Sequence, residues 1–445
     1  MMLEFSRYTL RTSADEHHYL FNTLSGASLT LDDAQYATLG AALDRPEGRR
    51  SAAEQGISDL MLRSGFLVEA GTDELGAALA QYDEGRRTTD VMSLVITPTV
   101  SCNMSCFYCY QDRKNTDRLS VGDIGAIVRF VGERLQRNGQ LDITWFGGEP
   151  LLEQGFIAAA SRELMALAAS RDARYTACVI SNCYHLDAAA AAMLEECAVD
   201  RIQVSFDGPA ATHDRVRRSL DRATGVRTGS FGQIVENLQG ACRRFEITAR
   251  VNVTELNLHR IPDLIDELAD AGLHDALAAI YFAPAFGYST TTPEVSYAGR
   301  PKVHLKIESF AQAEVSLLRR AAARGFTLRN PLRAGYTGCV AVQANGFVID
   351  ANGEVKKCTN DISRPATAFD SIRPSAAAFA ADYTASYDAF RPEGDSGCRN
   401  CHMLPVCYSA CPQRNMLSKE ERREKCPSHK YNWKETLPIF LDHQR

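Results

Sequence analysis

Short β-rich segments alternate with helical segments from Met92 to about Phe286, and this alternation constrains the fold more than any other feature. The predicted strands are Ser93–Pro98, Asp142–Phe146, Thr176–Ser181, Arg201–Phe206, Thr248–Val253 and Ala278–Phe282. The predicted helices are Val121–Arg137, Phe156–Ser170, Asp187–Cys197, Phe231–Phe245 and Ile261–Ala271. Because such alternation produces a parallel sheet with helices outside it, six units predict an α/β fold, a partial (β/α)6 barrel. The functional site of such a barrel belongs at the C-terminal ends of its strands.

The pattern of residues 1–90 predicts a separate small α+β unit. Strands are predicted at Glu4–Leu10, His18–Asn22, Ser28–Leu31 and Phe66–Val68, and helices at Asp32–Leu43, around Ile57–Leu62 and up to Arg87. This order resembles the winged-helix-like leader-recognition element of many peptide-modifying enzymes. The alternative is a structural cap on the barrel.

Charge and composition exclude several classes of protein. The chain has 49 basic and 55 acidic residues, a net charge of −6, which argues against a nucleic-acid binder with a basic field. Its 45% hydrophobic and 23% charged residues are typical of a globular chain and not of a disordered one. The N-terminal residues show no secretory signal, and no apolar run approaches a membrane span of about 18 residues. The expected location is the cytoplasm.

Fourteen cysteines are the second strong constraint. A large chain without a secretory signal does not depend on disulfides, so clustered thiols indicate metal or iron–sulfur ligands. Three cysteines follow the first predicted barrel strand, and seven lie between Cys339 and Cys426. Of the remaining four, Cys178 and Cys197 are predicted to be small core residues, while Cys183 and Cys242 receive no firm role.

Cys102, Cys106 and Cys109 form a C-x3-C-x2-C motif with the aromatic Tyr108 before its last cysteine. Three thiolates on one tight loop can hold three corners of a [4Fe–4S] cubane and leave one iron open. A structural zinc site would normally close with a fourth ligand. The motif resembles that of the radical S-adenosylmethionine (SAM) enzymes. In that family the open iron binds the amino and carboxylate groups of the cofactor.

A second motif follows the second predicted strand and consists of Gly147, Gly148, Glu149 and Pro150. Glycines let the backbone approach a ligand, and the carboxylate can accept from an ammonium group. The motif matches the GGEP sequence with which the family holds the methionyl amine. Ser181, Asn182 and Ser205 fall at later strand ends, where the family contacts the ribose and carboxylate. Arg250 and Asn252, on the fifth strand, are candidates to complete the cofactor pocket.

The run Ser205-Phe206-Asp207-Gly208-Pro209, followed by His213-Asp214-Arg215, resembles the S-x-D-G-P…HD-x-x-R sequence of one branch of the family. That branch contains anaerobic sulfatase maturases and peptide maturases.

The C-terminal cysteines follow a regular pattern. After Cys339 come Gly353-x4-Cys358, then Cys398-x2-Cys401-x5-Cys407-x3-Cys411, and finally Cys426. This pattern resembles the SPASM domain, with every internal spacing kept. The resemblance implies two auxiliary [4Fe–4S] clusters. Cys398, Cys401, Cys407 and Cys426 would hold one, and Cys339, Cys358 and Cys411 the other. A pair of zinc knuckles is the alternative.

Two departures set this chain apart from the sulfatase maturases. Those enzymes add a fourth cysteine just before the position of Cys339, but residues 331–338 contain none. They also place a catalytic aspartate directly after the cysteine of G-x4-C, where this chain has Thr359, with Asp361 two residues further on. The sequence therefore leaves the fourth ligand of that cluster unassigned. The candidates are Cys242, His304, Asp361, solvent and a substrate cysteine. We expect an open site that binds a substrate cysteine.

These patterns predict four parts: the N-terminal unit at 1–90, a TIM-like partial barrel at 91–290, a bridging region at 291–338 and a SPASM domain at 339–445. The bridging region includes a helix at Glu308–Arg324. The SPASM domain is expected to be a loop-rich iron–sulfur domain that ends in a Pro/Trp-containing tail.

The resemblance implies S-adenosyl-L-methionine and three [4Fe–4S] clusters as cofactors, and a peptide-modifying oxidoreductase as the activity. Reductive cleavage of the cofactor would give a 5′-deoxyadenosyl radical that abstracts hydrogen from a peptide carbon. A ribosomally synthesised precursor peptide is the leading substrate, and a thioether or another crosslink is one outcome. A flavodoxin- or ferredoxin-type reductant is the implied partner. No catalytic acid or base is assigned.

Three alternatives stay open from the sequence. They are formylglycine formation by a sulfatase maturase, oxidation of a small molecule, and a non-enzymatic iron–sulfur or zinc scaffold for electron transfer or regulation. The GGEP motif and the six βα units favour an enzyme over a scaffold, because an electron carrier needs no cofactor pocket.

Overall fold

The computed structural model describes residues 3–45, 47–109, 111, 116–220, 224–285, 305–332, 339–362, 367–374, 379, 381–408, 411–415 and 426–443. The strands of the N-terminal part are β1 (Leu3–Phe5), β2 (Thr9–Ala14), β3 (His17–Asn22), β4 (Ser28–Asp32) and β5 (Leu67–Glu69). Its helices are α1 (Asp33–Asp44), α2 (Ala52–Arg63) and α3 (Glu74–Arg87). Strands β2, β3 and β4 form an antiparallel meander, and β1 pairs with β5.

The barrel part follows. Its strands are β6 (Val91–Ile96), β7 (Gln140–Trp145), β8 (Arg174–Ile180), β9 (Val199–Phe206), β10 (Ser219–Leu220), β11 (Arg227–Thr228), β12 (Glu246–Val253) and β13 (Ala279–Pro284). Its helices are α4 (Ile124–Gly132), α5 (Gln154–Ser170), α6 (Ala188–Glu196), α7 (Ala210–Val216), α8 (Phe231–Ala241), α9 (Ile261–Asp270) and α10 (Leu273–Ala276).

The predicted partial barrel is confirmed. Strands β6, β7, β8, β9, β12 and β13 are neighbours in this order, and all are parallel. Apolar strand residues such as Ile143, Val179 and Val251 are completely buried, as expected for a parallel sheet covered by helices. The loops that follow the strands therefore gather at one edge of the sheet.

Two barrel helices are shorter than predicted. Val121–Arg137 was expected as one helix, but a 3-10 turn at Val121–Asp123 precedes α4, which ends at Gly132. Asp123 is held by the amide and hydroxyl of Ser120 and by the Arg373 guanidinium, so its carboxylate fixes the start of the helix. The helix predicted at Phe231–Phe245 ends at Ala241.

The remaining elements are α11 (Ile307–Ala323), β14 (Gly346–Ile349), β15 (Glu354–Lys356), β16 (Asp370–Ser371), α12 (Ala381–Asp388), α13 (Ser396–Arg399), α14 (Leu404–Cys407), α15 (Pro412–Asn415) and α16 (His429–Asp442). Helix α11 confirms the helix predicted in the bridging region. Helix α16 lies in the Pro/Trp-containing tail, for which the sequence predicted no secondary structure.

The C-terminal part is not separate from the barrel sheet. Strand β14 pairs in parallel with β6, with Ile349 beside Ile96, and β15 and β16 continue antiparallel from it. Within the part of the chain that the structure describes, the result is a nine-stranded sheet. Sequence reasoning did not predict this extension, which consists of three short strands within the region expected to be loop-rich.

The N-terminal part packs on the C-terminal part. Leu10, Tyr19 and Phe21 form one apolar cluster with Met403 and Leu437. The Thr23 hydroxyl donates to the His402 carbonyl at 2.6 Å, and the Tyr19 hydroxyl donates to Asp442 at 3.0 Å. The surface of the N-terminal unit therefore includes an apolar contact that holds the two ends of the chain together.

One predicted N-terminal strand, Glu4–Leu10, is in fact two. Ser6 makes a turn between β1 and β2: its carbonyl accepts from the Thr9 amide at 2.9 Å, and its hydroxyl accepts from the Tyr8 amide at 3.1 Å. The Ser6 hydroxyl in turn donates to Glu74 of α3.

Among the described residues, no helix combines the length and apolar character needed to cross a membrane.

Candidate active site

The three-cysteine loop follows β6 and is joined by hydrogen bonds to the GGEP loop that follows β7. The Gly148 amide donates to the Thr99 carbonyl at 3.0 Å, and the Glu149 amide donates to the Ser101 carbonyl at 2.9 Å. A Cβ atom on Gly148 would lie 2.2 Å from the Ser101 carbonyl oxygen. Only glycine allows this approach, so the GGEP motif fixes the backbone immediately before Cys102.

The Glu149 carboxylate is completely buried and has three donors. It accepts from the Leu151 amide at 3.0 Å, the Ser181 hydroxyl at 2.7 Å and the Asn182 amide at 2.7 Å. Burial raises the pKa of Glu149, and these hydrogen bonds act in the opposite direction. The sequence placed Glu149 and the Ser181-Asn182 pair in the same pocket, and the structure brings them into direct contact.

Asn103 connects the cysteine loop to two further segments. Its side-chain oxygen accepts from the Asn182 amide group at 2.7 Å, and its side-chain nitrogen donates to the Ser219 hydroxyl at 3.3 Å. Met104 also forms an isolated bridge with Ser219. The short β10–β11 hairpin therefore lies directly against the cysteine loop.

Tyr108 is anchored by a buried ion pair. Its hydroxyl donates to Asp207, with the two carboxylate oxygens at 2.6 and 2.7 Å, and accepts from Arg217 at 3.0 Å and from the Asn252 amide group at 3.2 Å. Arg217 also pairs with Asp207 at 3.3 Å, and both side chains are almost completely buried. Burial raises the pKa of Asp207, while the Arg217 charge lowers it. These hydrogen bonds hold Tyr108, the residue before Cys109, at the ends of β9 and β12.

Arg250 and Ser205 occupy paired positions on β12 and β9. The Arg250 guanidinium donates to the Asn252 side-chain oxygen at 2.9 Å and lies near the Tyr281 hydroxyl at 3.3 Å. Arg250 therefore supports Asn252, which in turn contacts Tyr108. Ser205 is half-buried at the same level of the sheet.

Cys106 is buried, while Cys102 and Cys109 are half-buried. Burial and the nearby Glu149 charge raise the pKa of the Cys102 thiol to about 12. The Cys102 sulfur accepts from the Met104 amide at 3.3 Å, the kind of contact that supports sulfur in an iron–sulfur site. Metal binding requires these thiols to lose their protons, and burial makes that loss unfavourable. The free energy of metal binding would offset this cost of forming a buried thiolate.

Cys339, Cys358 and Cys411 also lie close together. Burial raises the pKa of the Cys358 thiol, and the charges of Asp361, Cys339 and Cys411 act in the same direction. Cys339 and Cys358 share a small apolar cluster with Tyr387. The Asp361 carboxylate accepts from the Gln413 amide group at 3.0 Å and from the Tyr387 hydroxyl at 3.3 Å. His304, another candidate ligand, lies outside the described residues.

The other C-terminal cysteines lie where the N-terminal unit packs. Cys401 and Cys407 border the Leu10–Met403 cluster, and Cys398 borders a second cluster around Tyr8 and Tyr408. Lys430 donates to the Cys426 sulfur at 3.2 Å, and the charges of Cys426 and Cys401 act to raise the pKa of Lys430 against the effect of burial. Across the described part of the chain, no three His, Cys, Asp or Glu side chains are arranged to hold a single metal ion.

The cysteines outside the motifs fall as follows. Cys197 lies in the barrel core, as predicted, whereas Cys178 is half-buried and contacts the Thr144 hydroxyl at 3.9 Å. Cys183 is buried next to Asn182, and Cys242 is half-buried at the end of α8.

Sequence reasoning did not assign roles to Asn103, Asp207 and Arg217. Asp207 and Arg217 are the aspartate of S-x-D-G-P and the arginine of HD-x-x-R, so the signal was present in the motif. Gln111 was also missed; its side-chain amide donates to the Gly147 carbonyl at 2.7 Å.

Residues 96–268 match the Radical SAM superfamily. This part of the chain is therefore a radical SAM domain, which confirms the resemblance drawn from its motifs. The probable GTP 3′,8-cyclase of Methanopyrus kandleri is 29% identical over 41% of this chain and 54% of the relative. Sporulation killing factor maturation protein SkfB of Bacillus subtilis is 25% identical over 41% of this chain and 40% of the relative. The chain thus spans about half the length of the curated relatives it matches.

Two solved structures share the fold over a larger part of the chain. Native anSMEcpe with bound AdoMet aligns with a TM-score of 0.57 at 16% identity, over 79% of this chain and 98% of that chain. Streptococcus suis SuiB bound to precursor peptide SuiA aligns with a TM-score of 0.52 at 13% identity, over 96% of this chain and 99% of that chain. The second likeness therefore extends over the N-terminal unit as well as the barrel.

Proposed function

We propose that the protein is a radical SAM enzyme that modifies a ribosomally synthesised precursor peptide. The observation that carries this proposal is the convergence of three motifs at one sheet edge. The loop of Cys102, Cys106 and Cys109 is hydrogen-bonded to the GGEP loop, and Tyr108 is anchored at the ends of β9 and β12.

The donor set fits an iron–sulfur cluster with one open iron, since three thiols share one loop. When S-adenosyl-L-methionine is bound there, one-electron reduction supplies a 5′-deoxyadenosyl radical that abstracts hydrogen from a peptide carbon. Glu149, Ser181 and Asn182 would hold the methionyl end, and Ser205, Arg250 and Asn252 would line the pocket nearby. Burial of this network excludes water from the reacting centre.

Two auxiliary clusters complete the proposal. Cys339, Cys358 and Cys411 would hold one, supported by their mutual proximity in the structure. Cys398, Cys401, Cys407 and Cys426 would hold the other, supported by their SPASM spacing. A flavodoxin- or ferredoxin-type protein would supply electrons.

A peptide substrate is supported by the relatives. SkfB is named as a maturation protein, and SuiB was solved with its precursor peptide. Formylglycine formation is disfavoured because Thr359 stands at the position of the catalytic aspartate. Asp361, the nearest carboxylate in sequence, is completely buried and hydrogen-bonded to Tyr387 and Gln413.

The proposal predicts hydrogen transfer from the peptide to the cofactor. The protein should be reconstituted anaerobically and given S-adenosyl-L-methionine, reductant and a short peptide encoded beside its gene. If that peptide is deuterated, we expect deuterium in 5′-deoxyadenosine and a mass change in the peptide. Cofactor cleavage with no deuterium transfer and an unmodified peptide would argue for another substrate class.

The N-terminal unit is proposed to bind the leader of that peptide. Deleting it would be a poor test, because deletion would expose the apolar surface of Met403 and Leu437. Hydrogen exchange on the complete chain is cleaner. The full precursor should protect amides within residues 3–87, and a matched peptide without its leader should not. Equal protection by both peptides would leave this unit as a structural cap.

The cluster of Cys339, Cys358 and Cys411 is predicted to keep one iron open for a substrate cysteine. The two carboxylate oxygens of Asp361 already accept hydrogen bonds from Gln413 and Tyr387. This disfavours Asp361 as the fourth ligand and supports the prediction. A peptide with selenocysteine in place of cysteine should give an iron–selenium distance by X-ray absorption spectroscopy. A peptide with serine there is the control. A fourth protein ligand in an experimental structure of the peptide-bound enzyme would contradict the prediction.

A further inference from the structure

The β10–β11 hairpin presents positive charge beside the loop of Cys102, Cys106 and Cys109. Arg215, Arg218 and Arg227 are exposed, and Val226 between the strands is 55% exposed. We call these four residues the basic patch. Among the described residues of segment 210–229, Asp214 is the one carboxylate, and its side chain accepts from the Ser230 and Phe231 amides.

The members of the patch are neighbours in space. Arg227 pairs with Leu220 across the hairpin, two residues from Arg218. The Arg218 guanidinium donates to the Asp214 carbonyl at 3.1 Å, which places it beside Arg215. An exposed apolar side chain among arginines has the composition of a protein-binding surface, in which arginine is enriched.

The hairpin is hydrogen-bonded directly to the cysteine loop. The Leu220 amide donates to the Asn103 carbonyl at 2.7 Å, and the Arg227 guanidinium donates to the Ser105 hydroxyl at 2.5 Å. Asn103 and Ser105 flank Met104 between Cys102 and Cys106. A protein bound to the basic patch would therefore contact the segment that carries these two thiols.

We infer that the basic patch is the docking surface for an acidic one-electron carrier protein of the flavodoxin type. The chain has a net charge of −6, so it repels an acidic partner as a whole and attracts it at this patch. In the step, the carrier loses one electron and the cluster held by Cys102, Cys106 and Cys109 gains it, while no atom is transferred. The inference rests on the proposed function and adds the surface at which the electron donor of that same site docks.

The test compares two double variants with equal changes of charge. Arg215→Glu/Arg218→Glu reverses two arginines of the patch and keeps Arg227, which is hydrogen-bonded to the cysteine loop. Arg137→Glu/Arg174→Glu reverses two exposed arginines near the starts of β7 and β8, toward the opposite edge of the sheet. Reduced flavodoxin is mixed anaerobically with each reconstituted enzyme, and electron transfer is followed by the visible absorbance of flavin and cluster.

At low ionic strength the patch variant should take electrons about tenfold to a thousandfold more slowly, and the accelerating effect of low salt should disappear. The control variant should keep most of the rate. Cofactor cleavage driven by excess dithionite should persist in both, which shows an intact site. An unchanged rate in the patch variant, or an equal loss in the control, would overturn the docking surface. Absence of dithionite-driven cleavage in the unsubstituted enzyme would instead count against the proposed function.

Discussion

Replacing Cys102, Cys106 and Cys109 together with alanine should abolish formation of 5′-deoxyadenosine. The three thiols share one loop, and without them the proposed cluster has no protein ligand and the cofactor no iron to bind. The measurement is the yield of 5′-deoxyadenosine from the anaerobically reconstituted and reduced enzyme.

The same variant should keep the iron of the C-terminal cysteines, since those residues are unchanged. Cys178→Ala is the matched control, because this cysteine lies on β8 outside the motif. This variant should still cleave the cofactor. Normal cleavage by the triple variant would show that the cofactor is cleaved elsewhere. Loss of all the iron would instead indicate that the loop is needed for folding.

Arg217→Met should destabilise the barrel by about 3–5 kcal/mol, because it leaves the Asp207 carboxylate buried without its cation. Asp207→Leu should cost a similar amount by leaving the Arg217 guanidinium uncompensated. The double variant Asp207→Leu/Arg217→Met should cost less than the sum of the two, because neither charge is then left alone.

The barrel has its own optical reporter for this experiment. The chain contains two tryptophans, Trp145 in the barrel core and Trp433 in α16. In a Trp433→Phe background, urea unfolding followed by Trp145 fluorescence isolates the barrel transition. Arg201→Met, which removes a partly exposed ion pair with Asp142, is the control and should cost less than about 1 kcal/mol. Strictly additive single and double effects would mean that Asp207 and Arg217 do not stabilise each other.

The barrel could be predicted from the sequence because each of its strands is a local apolar run followed by a helix. Strand β14 could not, since Gly346–Ile349 is only four residues long and finds its partner β6 some 250 positions earlier in the chain. The break at Ser6 escaped notice for a related reason. The turn there is supported in part by Glu74 of α3, whose contact with the Ser6 hydroxyl no pattern within Glu4–Leu10 reveals.

The site was predictable where one motif carries one loop. The three cysteines and the run from Gly147 to Pro150 could be singled out because each is a short contiguous motif that resembles one of the radical SAM enzymes. The contact between Tyr108 and Asp207 joins residues 99 positions apart, so local pattern could not show it. Glu149 was assigned only to the cofactor amine, whereas the structure also places it against Ser181 and Asn182, where it organises the end of β8.

The contact between the two ends of the chain has a consequence for synthesis. Leu10, Tyr19 and Phe21 emerge from the ribosome long before Met403 and Leu437, which cover them. During translation this face of the N-terminal unit therefore stays uncovered and open to chaperones or misassembly. Cys401 and Cys407 border the same contact, so assembly of the proposed cluster at these cysteines would also complete the packing of the N-terminal unit.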